Sequence, residues 1–541
     1  MDATTRFDTA RVGAMPLVCA MFDKLGLAES VNQLVPYEGE VDLGSIVEVM
    51  VLNRLLQPKA MFRIGDWAQD ASVTDYFGLT AEQLNDDRLG RALERIAKHG
   101  DQVQAALVLS AVDKFDLDVN QIHYDITSVE LYGAYETDSE HPPSPLPTYG
   151  RTKSGRKNVK QIQQGLSVSA DGGVPICQTP LDGNASETGT HLANLAKLDQ
   201  TIPKHDFLYI ADTKLDTKEN LLNIAARKGK FLCGGASQAH LKDQFLKLRR
   251  NLCKIDYCSK GQADWPVEKR DQYKATECEE TVTGKVDGKE FRMKHRLIFI
   301  WSERKARDEA KTRERHIAKI REEFQTVARN LNKFSLKTKD AIVRRLEKAK
   351  AKYDEGSVFE YELTESKKLF SLTYRVNPQA EQRLKDVEGM FILKTNLAKA
   401  SNPLVSVLKK YRDQTCVERR FSNVKGPLAV SPIFLKKPER MAGLLYIIVW
   451  ALMVSSLMER GVRRSLKGKP MYGLYPEGRP SPSPTSTAIF QCFENLTIVI
   501  IKHRGEVTRR LADLTSVQRE ISNLLGIPPA AMRTFKSRCG M

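Results

Sequence analysis

The sequence predicts an α/β protein in which a mixed β-sheet is flanked by helices. Apolar and polar residues alternate over 122–128, around Asp125, which is the period of a half-buried strand. A second apolar run, 207–211, closes at Asp212 and is also predicted to be a strand. Farther along, apolar residues recur every three or four positions over 317–334, which is the period of a helix. Strands and helices therefore share the chain.

Length and net charge limit the classes of protein to which this chain can belong. At 541 residues the chain is longer than one hydrophobic core usually organises, so we expect several domains. Lys and Arg number 84 against 67 Asp and Glu, which gives a net charge of +17 and a pI near 9.3. A surplus of this size points to a polyanionic partner, because Lys and Arg release the counterions condensed on nucleic acid. The alternative is a basic protein whose charge only keeps it soluble.

Cysteine usage and the apolar segments indicate a cytoplasmic protein. The nine cysteines are scattered without a Cys-x-x-Cys, and the pair Cys253 and Cys258 has no further ligands at zinc-site spacing. We therefore expect reduced thiols. The N-terminus lacks the apolar core of a signal peptide. The apolar stretch 441–458 is near the lower length limit for a membrane span, and we interpret it as a buried core helix, with no membrane partner.

The chain begins with a predicted helical domain over 1–110. Apolar residues in this region have helical spacing, and the segment 87–97 is predicted to be a helix with a basic side. A DNA-binding role and a plain helical scaffold both remain open for this domain.

Residues 111–234 are predicted to be the first part of a catalytic domain. Three strands come first, at about 122–128, 161–169 and 173–178. The loop 183–187 then opens a helix, which Ser186 or Thr188 can cap, and a strand at 207–211, a helix near 216–228 and a short strand at 231–233 follow. This order of elements is the one expected of an RNase H-like sheet.

A long insertion interrupts that domain. Glu418 lies 206 positions beyond Asp212 (418 − 212), too far for a simple loop. We predict that 235–395 is an inserted domain of strands with a coiled-coil arm of two helices, the first roughly 45–50 Å long. The catalytic domain resumes over 396–462. A linker and a C-terminal helical region are predicted over 463–541.

The candidate catalytic residues and metal ligands are Asp125, Asp212 and Glu418. Two of them lie on predicted strands, and the third lies on a helix predicted over 411–425. Carboxylates from such elements can converge on two Mg²⁺ ions, or Mn²⁺, which activate one oxygen and stabilise another during attack on a phosphodiester. Each carboxylate alone is better explained as a solvated side chain, and Asp212 can instead cap a helix. An unpaired carboxylate in an apolar strand is unfavourable, which favours the ligand role for Asp125.

The helix predicted around Glu418 carries other polar residues on the same face. Tyr411, Gln414, Glu418 and Lys425 are separated by three, four and seven positions. This pattern resembles the Y-x2-R-x3-E-x6-K signature of DDE transposases from bacterial insertion sequences. Gln414 stands where the signature has Arg, and Gln cannot make a charged bidentate contact with phosphate.

The resemblance runs from about 120 to 460. It includes Tyr124-Asp-Ile-Thr-Ser128, Ile210-Ala-Asp212 and Asp386-Val-Glu-Gly-Met390. It implies an RNase H-like core split by a β-rich insertion, and metal-dependent hydrolysis at transposon ends followed by attack of the freed 3′-hydroxyl on target DNA.

The same resemblance assigns residues and partners. It implies that Asp125, Asp212 and Glu418 hold two Mg²⁺ ions. It also implies contacts to the DNA backbone from the residues of the signature helix and its flanking arginines, namely Tyr411, Arg412, Gln414, Arg419 and Lys425. The resemblance further implies that the partner is double-stranded DNA, both transposon ends and target, and that a homodimer binds it.

Other interpretations remain open. Lys425 can simply complement the end of its helix, and Tyr411 can be a core residue. The chain as a whole can be a DNA-binding protein derived from a transposase with weakened chemistry, which Gln414 favours. A third alternative is an RNase H-like nuclease that does not transpose.

Overall fold

The computed structural model describes residues 5–133, 135, 145–150, 156, 158–202, 206–428, 435, 437–475, 477–503 and 506–533. The chain forms two compact units, one made of Met1–Lys230 with Asp413–Met541 and the other of Phe231–Arg412. Each unit has a sheet and helices, so the predicted α/β class is confirmed. The RNase H-like type and the boundaries of the five predicted domains stay predictions.

The N-terminal part of the first unit is a strand followed by helices. Strand β1 spans Arg6–Arg11, and helices α1–α6 span Met15–Leu25, Leu27–Leu34, Leu43–Leu56, Ile64–Asp70, Val73–Phe77 and Asp86–Phe115. Helix α6 begins where the Asn85 side chain accepts a hydrogen bond from the backbone N–H of Arg88, which satisfies a donor of the first turn. The helices agree with the apolar spacing, whereas that spacing does not predict β1.

A mixed sheet follows in the first unit. Strands β2–β6 span Gln121–Leu131, Thr148–Tyr149, Lys160–Ser169, Pro175–Leu181 and Leu208–Ala211, and helices α7 and α8 span Thr190–Thr201 and Lys218–Ala226. The strands are ordered β3-β4-β2-β6, and β5 also pairs with β4. β2 is antiparallel to β4 and parallel to β6. The predicted order of strands and helices is therefore present, with the short strand β3 added.

The second unit has an antiparallel sheet and a helical arm. Strands β7–β13 span Lys230–Gly235, Cys253–Ile255, Tyr273–Val286, Lys289–Ser302, Phe359–Ser366, Leu369–Val376 and Met390–Thr395. Helices α9–α13 span Ala239–Leu248, Glu303–Arg329, Lys339–Lys350, Pro378–Val387 and Leu404–Arg412. Strands β7, β13, β10, β9 and β8 are neighbours in this order. Strands β11 and β12 form a separate hairpin.

The arm consists of α10, α11 and the β11–β12 hairpin, which share one hydrophobic core. The members of this core come from both helices, from the 3₁₀ turn before β11 and from the first residue of β11, namely Ile317, Ile320, Phe324, Val327, Ile342, Leu346, Ala349, Val358 and Phe359. The predicted helical seam is correct up to Val327. The prediction was wrong for Phe334, which lies beyond the end of α10 and is 82% exposed. With 27 residues, α10 is about 40 Å long, shorter than predicted.

The chain then returns to the first unit with a buried helix. Helices α14 and α15 span Thr415–Lys425 and Pro438–Leu466. Pro438 occupies the first turn of α15, where its missing N–H leaves no hydrogen bond broken. The apolar window of α15 is fully buried, as predicted for a core helix, and among the described residues it is the one helix long and apolar enough to cross a membrane. α15 packs on α6, and a Cβ at Gly443 would lie 2.1 Å from the Leu93 carbonyl oxygen.

The C-terminal part of the first unit contains a hairpin that the sequence does not predict. Helix α16 spans Ser486–Cys492, strands β14 and β15 span Thr497–His503 and Glu506–Leu511, and helices α17 and α18 span Ser516–Leu524 and Pro529–Arg533. β14 pairs with β15 and also with β1 from the other end of the chain. The helical prediction was therefore wrong for 497–511, where β14 pairs with the neighbouring β15 and with β1, whose paired residues lie 486–496 positions away (497 − 11 and 502 − 6).

Candidate functional site

Asp125 and Asp212 lie on neighbouring parallel strands. The register between β2 and β6 pairs Ile122 with Tyr209 and His123 with Ile210. Asp125 lies two residues after His123, and Asp212 lies two residues after Ile210 and directly follows β6. Continuing the same parallel register therefore puts Asp125 beside Asp212. Adjacent strands are about 4.8 Å apart, so the two backbones approach closely here. Both aspartates are partly buried.

The two aspartates share one face of the sheet. Helix α7 covers the opposite face, where the Tyr124 hydroxyl donates to Thr190 Oγ1 over 3.1 Å and the Tyr209 ring packs beside that of Tyr124. Because side chains alternate along a strand, Asp125 points away from α7, and so does Asp212. The face of the aspartates is therefore the one that α7 leaves uncovered.

Helix α14 packs over this face. It contacts β2 and β4, and its buried side chains are Val417, Arg420, Phe421 and Val424. His123, two positions before Asp125 on the same face, is fully buried. Burial lowers the pKa of His123 to about 4, and the negative charge of Asp413, just before α14, opposes this shift. Asp413 therefore lies near enough to His123 for its charge to act on the imidazole.

Glu418 lies in the first turn of α14 and is exposed. Lys425, the last residue of α14, is also exposed and lies seven positions away, so the two share one helical face. The structure thus brings the helix of Glu418 to the face of the sheet that carries both aspartates. Among the described residues, no three His, Cys, Asp or Glu side chains are grouped so that they could hold a metal ion.

Each aspartate also makes a local hydrogen bond. Asp125 Oδ1 accepts from the backbone N–H of Ile126 over 2.8 Å. Asp212 Oδ1 accepts from the backbone N–H of Lys214 over 2.9 Å, so it caps the short 3₁₀ turn after β6. The capping role considered for Asp212 is therefore present. Such backbone contacts fix the orientation of a carboxylate without using all of its lone pairs.

The helix predicted over 411–425 is two helices in the structure. α13 ends at Arg412 and α14 begins at Thr415. Between them, the N–H of Cys416 bonds to the carbonyl of Asp413 and that of Val417 to the carbonyl of Gln414. These i→i+3 bonds tighten the chain into a turn. The prediction that Tyr411, Gln414, Glu418 and Lys425 lie on one continuous helical face was therefore wrong.

The residues before the break have different surroundings from those after it. Tyr411 and Arg412 belong to the second unit, where the Arg412 guanidinium lies over the rings of Phe391 (4.9 Å) and Tyr273 (5.7 Å). Gln414 is half-buried at the N-cap position of α14, and Arg419 is exposed on α14. The DNA contacts predicted for Tyr411, Gln414, Arg412, Arg419 and Lys425 stay predictions.

An ion pair that the sequence analysis missed holds α14 in place. Arg420 Nη1 donates to Glu459 Oε2 of α15 over 2.9 Å, and Arg420 Nε donates to the Gly173 carbonyl over 3.0 Å. Arg420 Nη2 donates a hydrogen bond to the Gly172 carbonyl. Both charged side chains are about 95% buried. The signal in the sequence is Glu459 at the end of a continuous apolar run, because a buried charge requires a partner.

The turn that receives Arg420 depends on glycine. Gly172 and Gly173 connect β4 to β5 with φ of +85° and +65°. A Cβ at Gly173 would lie 2.9 Å from Arg420 Nε. Both the backbone conformation and the space for the guanidinium therefore require glycine at this position.

Comparison with known proteins gives a match to a family model and matches to solved structures. The model of a family described as "Domain of unknown function (DUF4277)" matches residues 7–108, a segment before all three candidate carboxylates. No curated protein matches the chain. Solved structures to which the chain is similar include "Cryo-EM structure of piggyBac transposase synaptic complex with hairpin DNA (SNHP)". The sequence identity is 10% and the TM-score 0.36, over 96% of this chain and 80% of that chain.

Proposed function

We propose that the protein is a DNA transposase of the DDE type, which cleaves DNA at the ends of an insertion sequence and joins them to target DNA. The observation that supports this most is the placement of the carboxylates. Asp125 and Asp212 are side by side on parallel strands, and α14, which carries Glu418, packs over the same face. The adjacent pair Asp125 and Asp212 suits a reaction that needs divalent metal at a phosphodiester, and the proposal requires Glu418 to join this pair when metal and DNA bind.

The donor set fits Mg²⁺ or Mn²⁺. All three candidate ligands are carboxylates, and hard divalent cations prefer such oxygen ligands. We assign Asp125 and Asp212 as the fixed ligands, because both stand on the sheet. Glu418 is exposed, so its side chain has the rotational freedom to join them when DNA and metal are bound. When bound, the metal pair would activate the attacking oxygen and stabilise the leaving one.

The remaining residues of the site have roles in binding and support. Lys425 and Arg419 are exposed cations on α14 and can contact phosphates beside the scissile bond. Arg420, held by Glu459, fixes the rotation of α14 about its axis, whereas the apolar contacts of α14 alone are not directional. The basic charge of the chain supplies general attraction to DNA.

A second candidate is a DNA-binding protein derived from a transposase with weakened chemistry. Two observations favour it. Gln414 stands at the Arg position of the signature. In the part of the chain that the structure describes, no three potential ligands are grouped to hold a metal. This candidate binds the same DNA ends but does not cleave them.

Cleavage of a defined plasmid separates the two candidates. The substrate is a supercoiled plasmid that carries the genomic segments flanking the coding sequence, incubated with the full chain and Mg²⁺. We expect specific nicks or double-strand breaks at the boundaries of these segments, and joined products when a second plasmid is present. Binding without cleavage in Mg²⁺ and in Mn²⁺ would support the second candidate and reject the first.

Three variants test the assignment of the carboxylates. Asp125→Asn, Asp212→Asn and Glu418→Gln keep the shape of the side chain and remove the charge that Mg²⁺ prefers. Each should abolish cleavage and leave DNA binding within about twofold of the parent protein, since binding is dominated by basic residues. Asp113→Asn is the matched control, because Asp113 is exposed on α6 away from the sheet face. Cleavage by Asp125→Asn at the parent rate would remove Asp125 from the site.

A further inference from the structure

The end of the arm is a compact basic surface. We call it the arm tip and define it as the loop 330–338 between α10 and α11 together with the turn Lys367-Lys368 between β11 and β12. It belongs entirely to the second unit. None of the candidate catalytic residues lies in it.

The two parts of the arm tip are fastened to each other by one asparagine. The Asn332 side chain donates from Nδ2 to the Phe370 carbonyl over 2.9 Å and accepts from the Phe370 N–H over 2.8 Å. The Asn332 N–H also bonds to the Leu336 carbonyl over 2.8 Å, which closes the loop on itself. These bonds give the tip a defined shape. Phe370 and Leu336 pack against the arm core and tie the tip to it.

Phe334 projects from this ordered loop into solvent. It is 82% exposed, and Leu369 beside the turn is 59% exposed. The φ of Phe334 is +48°, a region that a bulky residue rarely adopts. A glycine or asparagine would fit this backbone with less strain, and a polar side chain would suit the solvent. An exposed, strained aromatic in a well-bonded loop indicates a binding role.

Exposed lysines occur in both parts of the tip that carries Phe334. The exposed lysines of the two parts and of the adjoining first turn of α11 are Lys333, Lys337, Lys339, Lys367 and Lys368. Within the described part of the chain, no side-chain hydrogen bond or ion pair engages their ammonium groups. The tip has no acidic residue in 330–338 or in the turn, and the first turn of α11 adds Asp340 next to Lys339. The surface therefore keeps a net positive charge that is available to an anionic partner.

The turn Lys367-Lys368 is itself an unusual choice of residues. Both lysines have positive φ, of +52° and +63°, and they join Ser366 to its partner Leu369 in the hairpin. A two-residue turn with this backbone strongly favours Asn-Gly, Asp-Gly or Gly-Gly. Lysine is present at both positions despite the conformational cost, which favours a role for the two charges.

We propose that the arm tip is a second DNA-contacting surface, in which the lysines hold the phosphate backbone and Phe334 stacks on or inserts between bases. The proposal rests on the proposed function only in naming DNA as the anion. Lysines neutralise phosphates, and an exposed aromatic offers a ring that can stack with any base. Together they suit DNA at a bent, mismatched or open step, where unstacking is least costly.

Charge and geometry favour DNA over an anionic membrane. The apolar surface of the tip is limited to Phe334 and Leu369, whereas membrane-binding helices bury a continuous apolar face. The arm helices keep their apolar side chains in their own core. Vesicle binding is nevertheless a direct test, because an acidic lipid surface would attract the same lysines.

The lysines are tested through the salt dependence of DNA binding. Affinity of the full chain for a short labelled duplex is measured by fluorescence anisotropy at several salt concentrations. The double variant Lys333→Gln with Lys337→Gln should reduce the log–log salt slope by about two units, one for each lost phosphate contact. The control is Lys467→Gln with Lys469→Gln, an exposed pair at the end of α15 that removes the same charge. The control slope should not change.

Phe334 is tested through base stacking. Phe334→Ala should weaken DNA binding about tenfold, because the variant loses the stacking of one base on the ring. The salt slope should stay unchanged, because the substitution removes no charge. It should also remove the preference of the parent protein for a duplex with a central mismatch over a matched one. Phe334→Trp should keep the preference. Phe62→Ala is the matched control, since Phe62 is 70% exposed in the first unit.

The outcomes separate the tip from the proposed chemistry. Weaker binding by the tip variants together with no metal-dependent cleavage by the parent protein would support the tip and reject the transposase chemistry. Cleavage by the parent with unchanged binding by the tip variants would reject the tip. If the parent protein binds phosphatidylserine vesicles and the tip variants lose this binding without any change in DNA binding, the DNA role of the tip is rejected in favour of a membrane-binding surface.

Discussion

Arg420 of α14 and Glu459 of α15 form a buried ion pair with a distance of 2.9 Å between Nη1 and Oε2. Glu459 Oε1 also accepts from the backbone N–H of Ser486 over 2.9 Å, at the start of α16. Arg420 uses its other nitrogens on the carbonyls of Gly172 and Gly173. One pair of charges therefore connects the helix of Glu418 to the core helix, to α16 and to the turn between β4 and β5.

Removal of Arg420 is expected to destabilise the first unit strongly. Arg420→Met leaves the Glu459 carboxylate buried without its main partner, which typically costs about 3–5 kcal/mol in the free energy of unfolding. Arg463→Met should cost much less, because the Arg463 side chain is 31% exposed and lies 3.6 Å from the same carboxylate. Urea unfolding of both variants tests this. Equal losses would mean that Glu459 does not depend on Arg420.

The same pair predicts a loss of stability in acid. Burial alone would raise the pKa of Glu459. The positive charges of Arg420 and Arg463 lower it by more, so the pKa of Glu459 lies below its usual value of 4.5. A carboxyl whose pKa is depressed by folding stabilises the protein fully above its unfolded pKa, and this stabilisation is lost as the pH falls through the folded pKa. The unfolding free energy should therefore fall below about pH 4.5. Glu459→Gln should show a shallower fall over this range.

The sequence predicts the local elements of the site better than their relative placement. The alternation around Asp125 and the run before Asp212 give the correct strands, because burial of one face imposes a period of two. The break between α13 and α14 is not visible in the sequence, because buried apolar residues lie on both sides of it and the two residues between the helices, Asp413 and Gln414, include no Gly or Pro. Tyr411 and Glu418 keep the spacing of a signature although they stand on different helices.

Contacts between distant parts of the chain account for most of what the sequence misses. β1 pairs with β14, and the pattern of neither strand indicates which distant segment it pairs with. Similarly, Arg420 looks like one more cation on a basic helix until α15 places Glu459 beside it. Long-range pairing of this kind depends on tertiary packing, and the local periodicity of a single sequence does not report on it.

Neutralising Asp125 should stabilise the metal-free protein and remove its response to metal. Asp125 and Asp212 stand side by side, and like charges on adjacent strands are unfavourable by about 0.2–1 kcal/mol. Asp125→Asn should therefore unfold at a slightly higher temperature in EDTA. In Mg²⁺ the parent protein should gain stability by mass action and the variant should not. A variant that responds to Mg²⁺ as the parent does would argue against a metal ligand at position 125.

The arm core should depend on Phe324 and not on Phe334. Phe324 is fully buried among aromatic neighbours, including Phe359 at 5.3 Å between ring centroids. Phe324→Ala should cost about 3–5 kcal/mol because it leaves a cavity. Phe334→Ala removes an exposed side chain and should change stability by less than about 0.5 kcal/mol. Hydrogen exchange of the α11 amides measures both. Rapid exchange in Phe334→Ala would show that Phe334 supports the arm and is not free to bind.

Lys425 is predicted to contact DNA more than it stabilises its helix. It ends α14, exposed, on the face that also carries Glu418. If its ammonium group binds a phosphate beside the scissile bond, Lys425→Ala should make the log–log salt dependence of end binding shallower by about one unit. Affinity for end DNA at several salt concentrations gives this slope. Arg419→Ala, also on α14, should show a similar change if both cations reach the same strand.

A purely structural role for Lys425 predicts the opposite pattern. A cation at a helix C-terminus interacts favourably with the helix dipole, and its loss lowers the melting temperature slightly. Thermal melting of Lys425→Ala is therefore measured beside the salt slope, with Lys425→Arg as the control that keeps the charge. An unchanged slope with a lowered melting temperature, restored by arginine, would remove Lys425 from the DNA-binding surface. A reduced slope with an unchanged melting temperature would place a phosphate at the end of α14, two turns from Glu418.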